Sequence, residues 1–278
     1  MNADTLAKRL AAIGELPDDA IELAPTALIL AGLAEPAHDL ARAFAHLERL
    51  ARDVAAADGA QATDAATRAR VLADVLADQH GYRGDRDTYD DLANADLARV
   101  IERRRGLPVA LAILWIHAGR AQGWTVDGLD FPGHFVIRVC GASPDDQTIV
   151  DPFEGGRIVS EDDLQRILKR MAGEDVALAP QHTQPVGNRA VLLRLQNNIK
   201  QRLQRANDLD GARAVVARML MVAPRESWLW REAGSLDAER GNLRAATAAL
   251  AEAAKLAPDA PTRHRIEAEM RRIATRLN

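Results

Sequence analysis

The sequence predicts an α+β protein, mostly helical, with a small antiparallel sheet near its middle and a helical repeat region towards its C-terminal end. Three observations carry this. Aromatic residues make up only 4% of an alanine-rich chain, and apolar residues recur at three- and four-residue intervals, which suits closely packed helices. Two short runs, Phe135-Val-Ile-Arg-Val139 and Thr148-Ile-Val150, flank Gly141-Ala-Ser-Pro-Asp-Asp146, the pattern of strands joined by a turn. Beyond residue 190, Ala223-Pro224 and Ala257-Pro258 lie 34 apart, as do Asn207/Gly241, Leu209/Leu243 and Ala212/Ala246.

Residues 1–80 read as a helical segment. Leu40, Phe44, Leu47, Leu50 and Val54 make one apolar face. Gly59 ends that helical region, and Thr63-Asp64 can cap the next, which carries Val71, Leu72, Val75 and Leu76. Gly81 to Asp91 is polar and turn-rich, a surface loop by composition.

Residues 81–185 read as the core domain. Pro108 suits the first turn of a helix, where its missing N–H removes no bond. That helix is apolar on most sides through Ile116 and ends near Gly123, so it is expected to be buried. Ser160-Glu-Asp-Asp163 reads as the cap of a further helix through Leu168. Residues 186–278 read as the repeat region. Its 34-residue period is that of tetratricopeptide units, each a pair of antiparallel helices.

The chemistry-bearing stretch runs from Gly106 to Gly156. A Gly106-Leu-Pro108 turn opens the apolar helix, His134 follows in Phe131-Pro-Gly-His134-Phe135, and Asp151 in Ile149-Val-Asp151-Pro-Phe153. A thiol acyl-transfer site needs a cysteine at a helix N-terminus, where the backbone dipole stabilises thiolate. A histidine takes its proton, and a carboxylate holds the ring in one tautomer. Here the helix start offers only Pro108, Val109 and Ala110, none of which can be a nucleophile. The single cysteine, Cys140, lies six residues past His134, roughly 20 Å along an extended strand, beyond proton-transfer reach. His134 and Asp151 keep two readings. They form an acid–base pair able to hold a ligand, or they satisfy each other's buried polar groups.

These motifs resemble the SirB family of bacteria: Gly81-Tyr-Arg-Gly84-Asp85, Tyr89, Asn94-Ala-Asp-Leu97, Val100-Ile-Glu-Arg103-Arg-Arg-Gly106-Leu-Pro108, Pro132-Gly-His134-Phe135 and Asp151-Pro-Phe153-Glu-Gly155-Gly156. The resemblance covers nearly the whole chain. It implies a transglutaminase-like (papain-like) core, in which Cys, His and Asp come in this order, joined to C-terminal tetratricopeptide repeats. That family generally lacks the thiol at the helix start.

Bulk properties narrow the function. With 36 basic and 40 acidic residues the net charge is −4, so nothing draws the chain to nucleic acid or an anionic membrane. One cysteine suits a reducing cytosol, and the first residues lack the order of a signal peptide. The apolar run Ala27 to Leu33 is too short to span a bilayer. The histidines show no metal-ligand spacing, and no phosphate loop follows a strand, so neither metal nor cofactor is expected. The reading is a cytoplasmic, non-catalytic interaction or regulatory module that takes a protein or peptide on its repeats. The alternative is a hydrolase or acyl transferase using His134 and Asp151 with water or another non-Cys nucleophile. Candidate binding residues are Asn94, Arg138, Arg194, Lys200 and Arg202; with Arg205 and Arg218, the last three of these would make a repeat groove positive. The Arg103-Arg104-Arg105 run reads as a solvated helix end, or otherwise as a small anion-binding patch.

Overall fold

The computed structural model describes residues 2–173 and 175–275. Contacts divide the chain into two units, one built on Pro17–Leu195, the other on Asp4–Leu16 with the chain from Gln196 onward. The segments expected at 1–80, 81–185 and 186–278 are grouped differently by these contacts. The first helix, α1 (Ala3–Gly14), falls in the second unit, while the rest of the N-terminal helices pack into the first.

In the first unit, α2 (Leu23–Ala34), α3 (Leu40–Ala56) and α4 (Ala65–Leu72) precede a π-helical stretch, Ala73–Gln79. The expected caps are present: Gly59 turns at φ 85°, and the Asp64 carboxylate accepts from the Thr67 N–H at 2.8 Å. Next, β1 (Arg83–Gly84) pairs in parallel with β2 (Arg105–Gly106). Between them stands α5 (Leu97–Arg103), and α6 (Pro108–Arg120) follows. Every residue of α6 from Pro108 to Ile116 is buried, because α2, α3, α4 and α5 surround it together with the sheet.

The sheet is larger than the sequence indicated. Strands β3 (Val126–Leu129), β4 (Val136–Cys140), β5 (Gln147–Asp151), β6 (Arg157–Ile158) and β7 (Pro185–Val186) are ordered β6-β5-β4-β3-β7, antiparallel throughout. Strand β3 escapes the sequence patterns because Asp127-Gly128 interrupts its alternation. The glycine is needed, since a Cβ there would meet Phe135 at 2.8 Å. The hairpin tip is tied down, with Asp146 Oδ2 accepting from Ala65 N at 2.9 Å at the start of α4. Helix α7 (Glu161–Ala172) opens with the expected capping box, Ser160 with Asp163, and runs four residues beyond Leu168. Leu164 and Leu168 pack with Leu129, Phe131 and Val136 in a small separate core.

Helix α8 (Asn188–Arg205) runs from the first unit into the second, which continues as α9 (Leu209–Val222), α10 (Ser227–Glu239), α11 (Leu243–Lys255) and α12 (Ala260–Ala274). The repeat period is structural. Asn207 and Gly241 both adopt left-handed φ, at 58° and 78°, in the turns before α9 and α11. Ala212 and Ala246 are both fully buried one turn later. No helix among the described residues is long and apolar enough to cross a membrane.

Candidate functional site

Two buried aromatics fix the histidine. Phe131 and Phe135 lie in the core at 0% and 2% exposure, and the chain between them turns through Gly133 at φ 72°. His134 N–H closes that turn on Phe131 O at 2.9 Å. The side chain is left partly exposed, directed at the end of β5. There His134 Nε2 lies 2.7 Å from Asp151 Oδ2. A carboxylate accepts, so Nε2 carries the proton that faces Asp151.

Asp151 is 2% exposed, and its second oxygen accepts from the N–H groups of Phe153 at 2.9 Å and Glu154 at 3.3 Å. This is an Asx-type turn, continued through Gly155 and Gly156 at φ 67° and 89°. The turn is held from the other side by the loop entering the core. Gly84 donates to Phe153 O at 3.0 Å, and Arg86 pairs with Glu154. The dyad lines an open cleft of about 570 Å³ with Gly133, Glu154, Arg157, Ile167, Arg170 and Met171. The contribution of α7 to this cleft had no signal in the sequence.

The start of α6 is hydrocarbon. Val109 is 2% and Ala110 0% exposed, and Pro108 is buried with them. Cys140 ends β4 paired with Gln147, whereas Ile137 pairs with Val150. The cysteine therefore sits at the opposite end of the β4–β5 ladder from Asp151, four residues or roughly 13 Å away. The sulfur and the dyad are separated, as the spacing implied.

The other candidate binding residues are engaged by their own neighbours. Asn94 is buried rather than open to a ligand. It ends a 3₁₀ turn, Leu92–Asn94, is 0% exposed, donates to Thr88 O and accepts from Arg103. The cap of α5 is Asp96, accepting from Arg99 N. Arg138 pairs with Asp127 at 3.2 Å, on the wall of a second depression with Gln147 and Ile149. Arg194 pairs with Asp130 at 3.0 Å. Lys200 and Arg202 do not make an exposed positive groove. They are only 5% and 8% exposed, with Lys200 paired to Glu232 and Arg202 bonded to Asn198, because both point into the helix packing.

The arginine run is likewise not a solvated end, nor is residues 81–91 merely a surface loop. Arg103 bonds buried Asp85 at 3.0 Å and Asn94 at 3.1 Å. Arg104 turns left-handed at φ 58° and enters a cluster with His46 and Tyr82. Tyr82, 0% exposed, lies 2.8 Å from His46 Nε2, and Arg104 Nη1 lies 2.9 Å from the same nitrogen. Burial, then the neighbouring Arg104 charge, lowers the His46 pKa to about 4; burial pushes the Tyr82 phenol up. Nothing in the sequence spacing links residues 46, 82 and 104. Among the described residues, no group of three or more His, Cys, Asp or Glu is placed to hold a metal.

The family model described as "Transglutaminase-like superfamily" matches residues 41–197, and the one described as "Tetratricopeptide repeat" matches 199–271. A UPF0162 protein of Xylella fastidiosa is 35% identical over 158 residues, 55% of this chain and 55% of its own length; the chain thus spans about half of that relative. A UPF0162 protein of Vibrio cholerae is 32% identical over 67% of this chain and 68% of its own length. One from Pseudomonas aeruginosa is 28% identical over 86% and 88% respectively. The helix–strand–strand order of the core, the repeat-bearing second unit and these matches place the chain in the transglutaminase-like superfamily, among the bacterial, SirB-like UPF0162 proteins with tetratricopeptide repeats.

Proposed function

We propose that this chain is a non-catalytic interaction module of the cytoplasm, binding a protein or peptide through its C-terminal helical repeats. The carrying observation is the start of α6, where buried Val109 and Ala110 occupy the place in which a thiol acyl transferase needs a nucleophile. His134 and Asp151 then orient each other without a group to activate. Repeat helices offer side chains in register to a peptide or helix. Trp228 on α10 is 46% exposed, and a surface tryptophan is a common anchor of such contacts. The test is affinity capture from the native cell with the full chain and its Trp228→Ala variant. A specific partner that is lost with the variant supports the reading. Equal recovery of every partner by both would remove Trp228 and its surface from it.

One observation favours a second reading. The dyad opens on a cleft rather than a packed interior, so His134 has room to draw a proton from water or a substrate hydroxyl. That hydrolase or acyl-transferase reading is tested by ester, amide and isopeptide turnover. A rate that His134→Ala leaves unchanged eliminates it.

A further inference from the structure

A second built site lies away from the dyad, between α3 and α5. Arg104 forms its floor. Its Nη1, with two N–H groups, lies within reach of Tyr82 Oη, of His46 Nε2 at 2.9 Å and of Ile101 O at 2.6 Å, and its guanidinium stacks 4.8 Å from the centre of the Tyr82 ring. Nε and Nη2 of Arg104 donate to no group among the described residues. Arg104 lines a depression together with Arg42, His46 and Arg49, and the Nε–Nη2 edge is the part of its planar fork left for a ligand there. A bidentate donor pair held in one orientation matches the two oxygens of a phosphate or carboxylate.

The surroundings add charge of the same sign. Arg42 and Arg49 stand on the rim. Two carboxylates also line the depression, against three arginines, and each has a partner of its own. Asp39 accepts from Arg42 N at 3.0 Å as the cap of α3, and Glu102 pairs with Arg99 at 3.2 Å. His46, which also lines the depression, has its pKa lowered to about 4, so it is neutral near pH 7 and leaves the charge of the site to the arginines. The left-handed φ of Arg104 is a conformation that glycine or asparagine adopts far more easily at a helix end. Strain of this kind is tolerated where a side chain has a task. The volume is about 160 Å³, well below the roughly 300–1,000 Å³ of pockets for drug-sized ligands.

We propose that this depression, floored by Arg104 and rimmed by Arg42 and Arg49, binds a small oxyanion, the terminal group of a phosphate ester or a carboxylic acid. The site shares no residue with the His134 cleft and does not depend on whether that cleft is catalytic.

The test is isothermal titration calorimetry of the full chain in low-chloride buffer, with inorganic phosphate and with succinate as separate probes. Saturable one-site binding is expected for at least one of them, and the tighter probe identifies the source. Arg104→Lys removes the fork while keeping the charge, and weakens binding about tenfold or more. Should Arg104→Lys lose its folded circular-dichroism spectrum, exposed Arg49→Ala decides instead, with a several-fold loss expected. No saturable heat with either probe overturns the proposal, as does affinity unchanged in a folded Arg104→Lys protein or in Arg49→Ala.

Discussion

His134 Nε2 and Asp151 Oδ2 stand 2.7 Å apart, while Cys140 ends the same β4–β5 ladder on its far side. The dyad and the sulfur therefore belong to separate neighbourhoods. Cys140→Ser is expected to leave any hydrolytic rate and any captured partner unchanged. A rate that falls with this substitution would show the thiol to be in use.

Removing the histidine leaves a buried carboxylate with its backbone donors but without its ring partner. Asp151 keeps the two N–H bonds from Phe153 and Glu154, so His134→Ala is expected to cost about 1–3 kcal/mol rather than unfold the protein. Urea denaturation measures this. No change in midpoint would mean that the pair contributes nothing to folding.

Gly84 lets the entry loop close on the Asp151 turn. A Cβ there would sit 2.5 Å from the Phe153 ring, and the two backbones are tied together by Gly84 N donating to Phe153 O at 3.0 Å. Gly84→Ala should therefore overpack the site and destabilise by about 1–3 kcal/mol. Thermal unfolding reads this as a midpoint several degrees lower; an unchanged midpoint would mean that the loop yields freely.

Much of this architecture was legible because it rests on short-range rules. The capping box of Ser160 and Asp163, Pro108 at the start of a buried helix and the 34-residue period all leave local marks. The hairpin runs marked β4 and β5, whereas the order of His134 and Asp151 along the chain left open whether the two touch. What failed was side-chain destination over long separations. Lys200 and Arg202 looked like a positive surface, but whether a cation on a helix points out or into a neighbouring helix depends on packing that period alone leaves open. Arg104 looked solvated because two arginines flank it, yet its left-handed backbone redirects it onto His46, 58 residues earlier. Strand β3 was hidden by a glycine that exists to receive Phe135.

The paired turns of the second unit give a matched test of the repeat. Asn207 and Gly241 hold the same left-handed conformation, which costs a side chain roughly 1–2 kcal/mol unless the residue is glycine or a short polar one. Asn207→Gly should be close to neutral, whereas Asn207→Val and Gly241→Val should each lose about that amount. Chemical denaturation of the three variants checks the pattern. A valine tolerated at both sites would mean that the turns are not constrained as the 34-residue equivalence implies.

The His46 cluster predicts a sign for stability against pH. Burial, followed by the Arg104 charge, lowers the imidazole from 6.5 to about 4 in the folded state. Between those values the unfolded chain binds the extra proton, so acid favours unfolding. The contribution is fully present above pH 6.5 and is lost as pH falls towards 4, amounting to on the order of 3 kcal/mol. His117 is lowered by burial as well and adds a slope of the same sign, so the wild-type curve alone does not isolate His46. His46→Gln does, because the amide can still accept from Arg104 but does not titrate. The expected result is that the stability difference between wild type and His46→Gln, measured by urea denaturation, narrows or reverses in favour of the variant between pH 7 and pH 5. Parallel curves across that range would mean that His46 is protonated in the folded protein as readily as in the unfolded chain, and that the Arg104 guanidinium is not its hydrogen-bond donor.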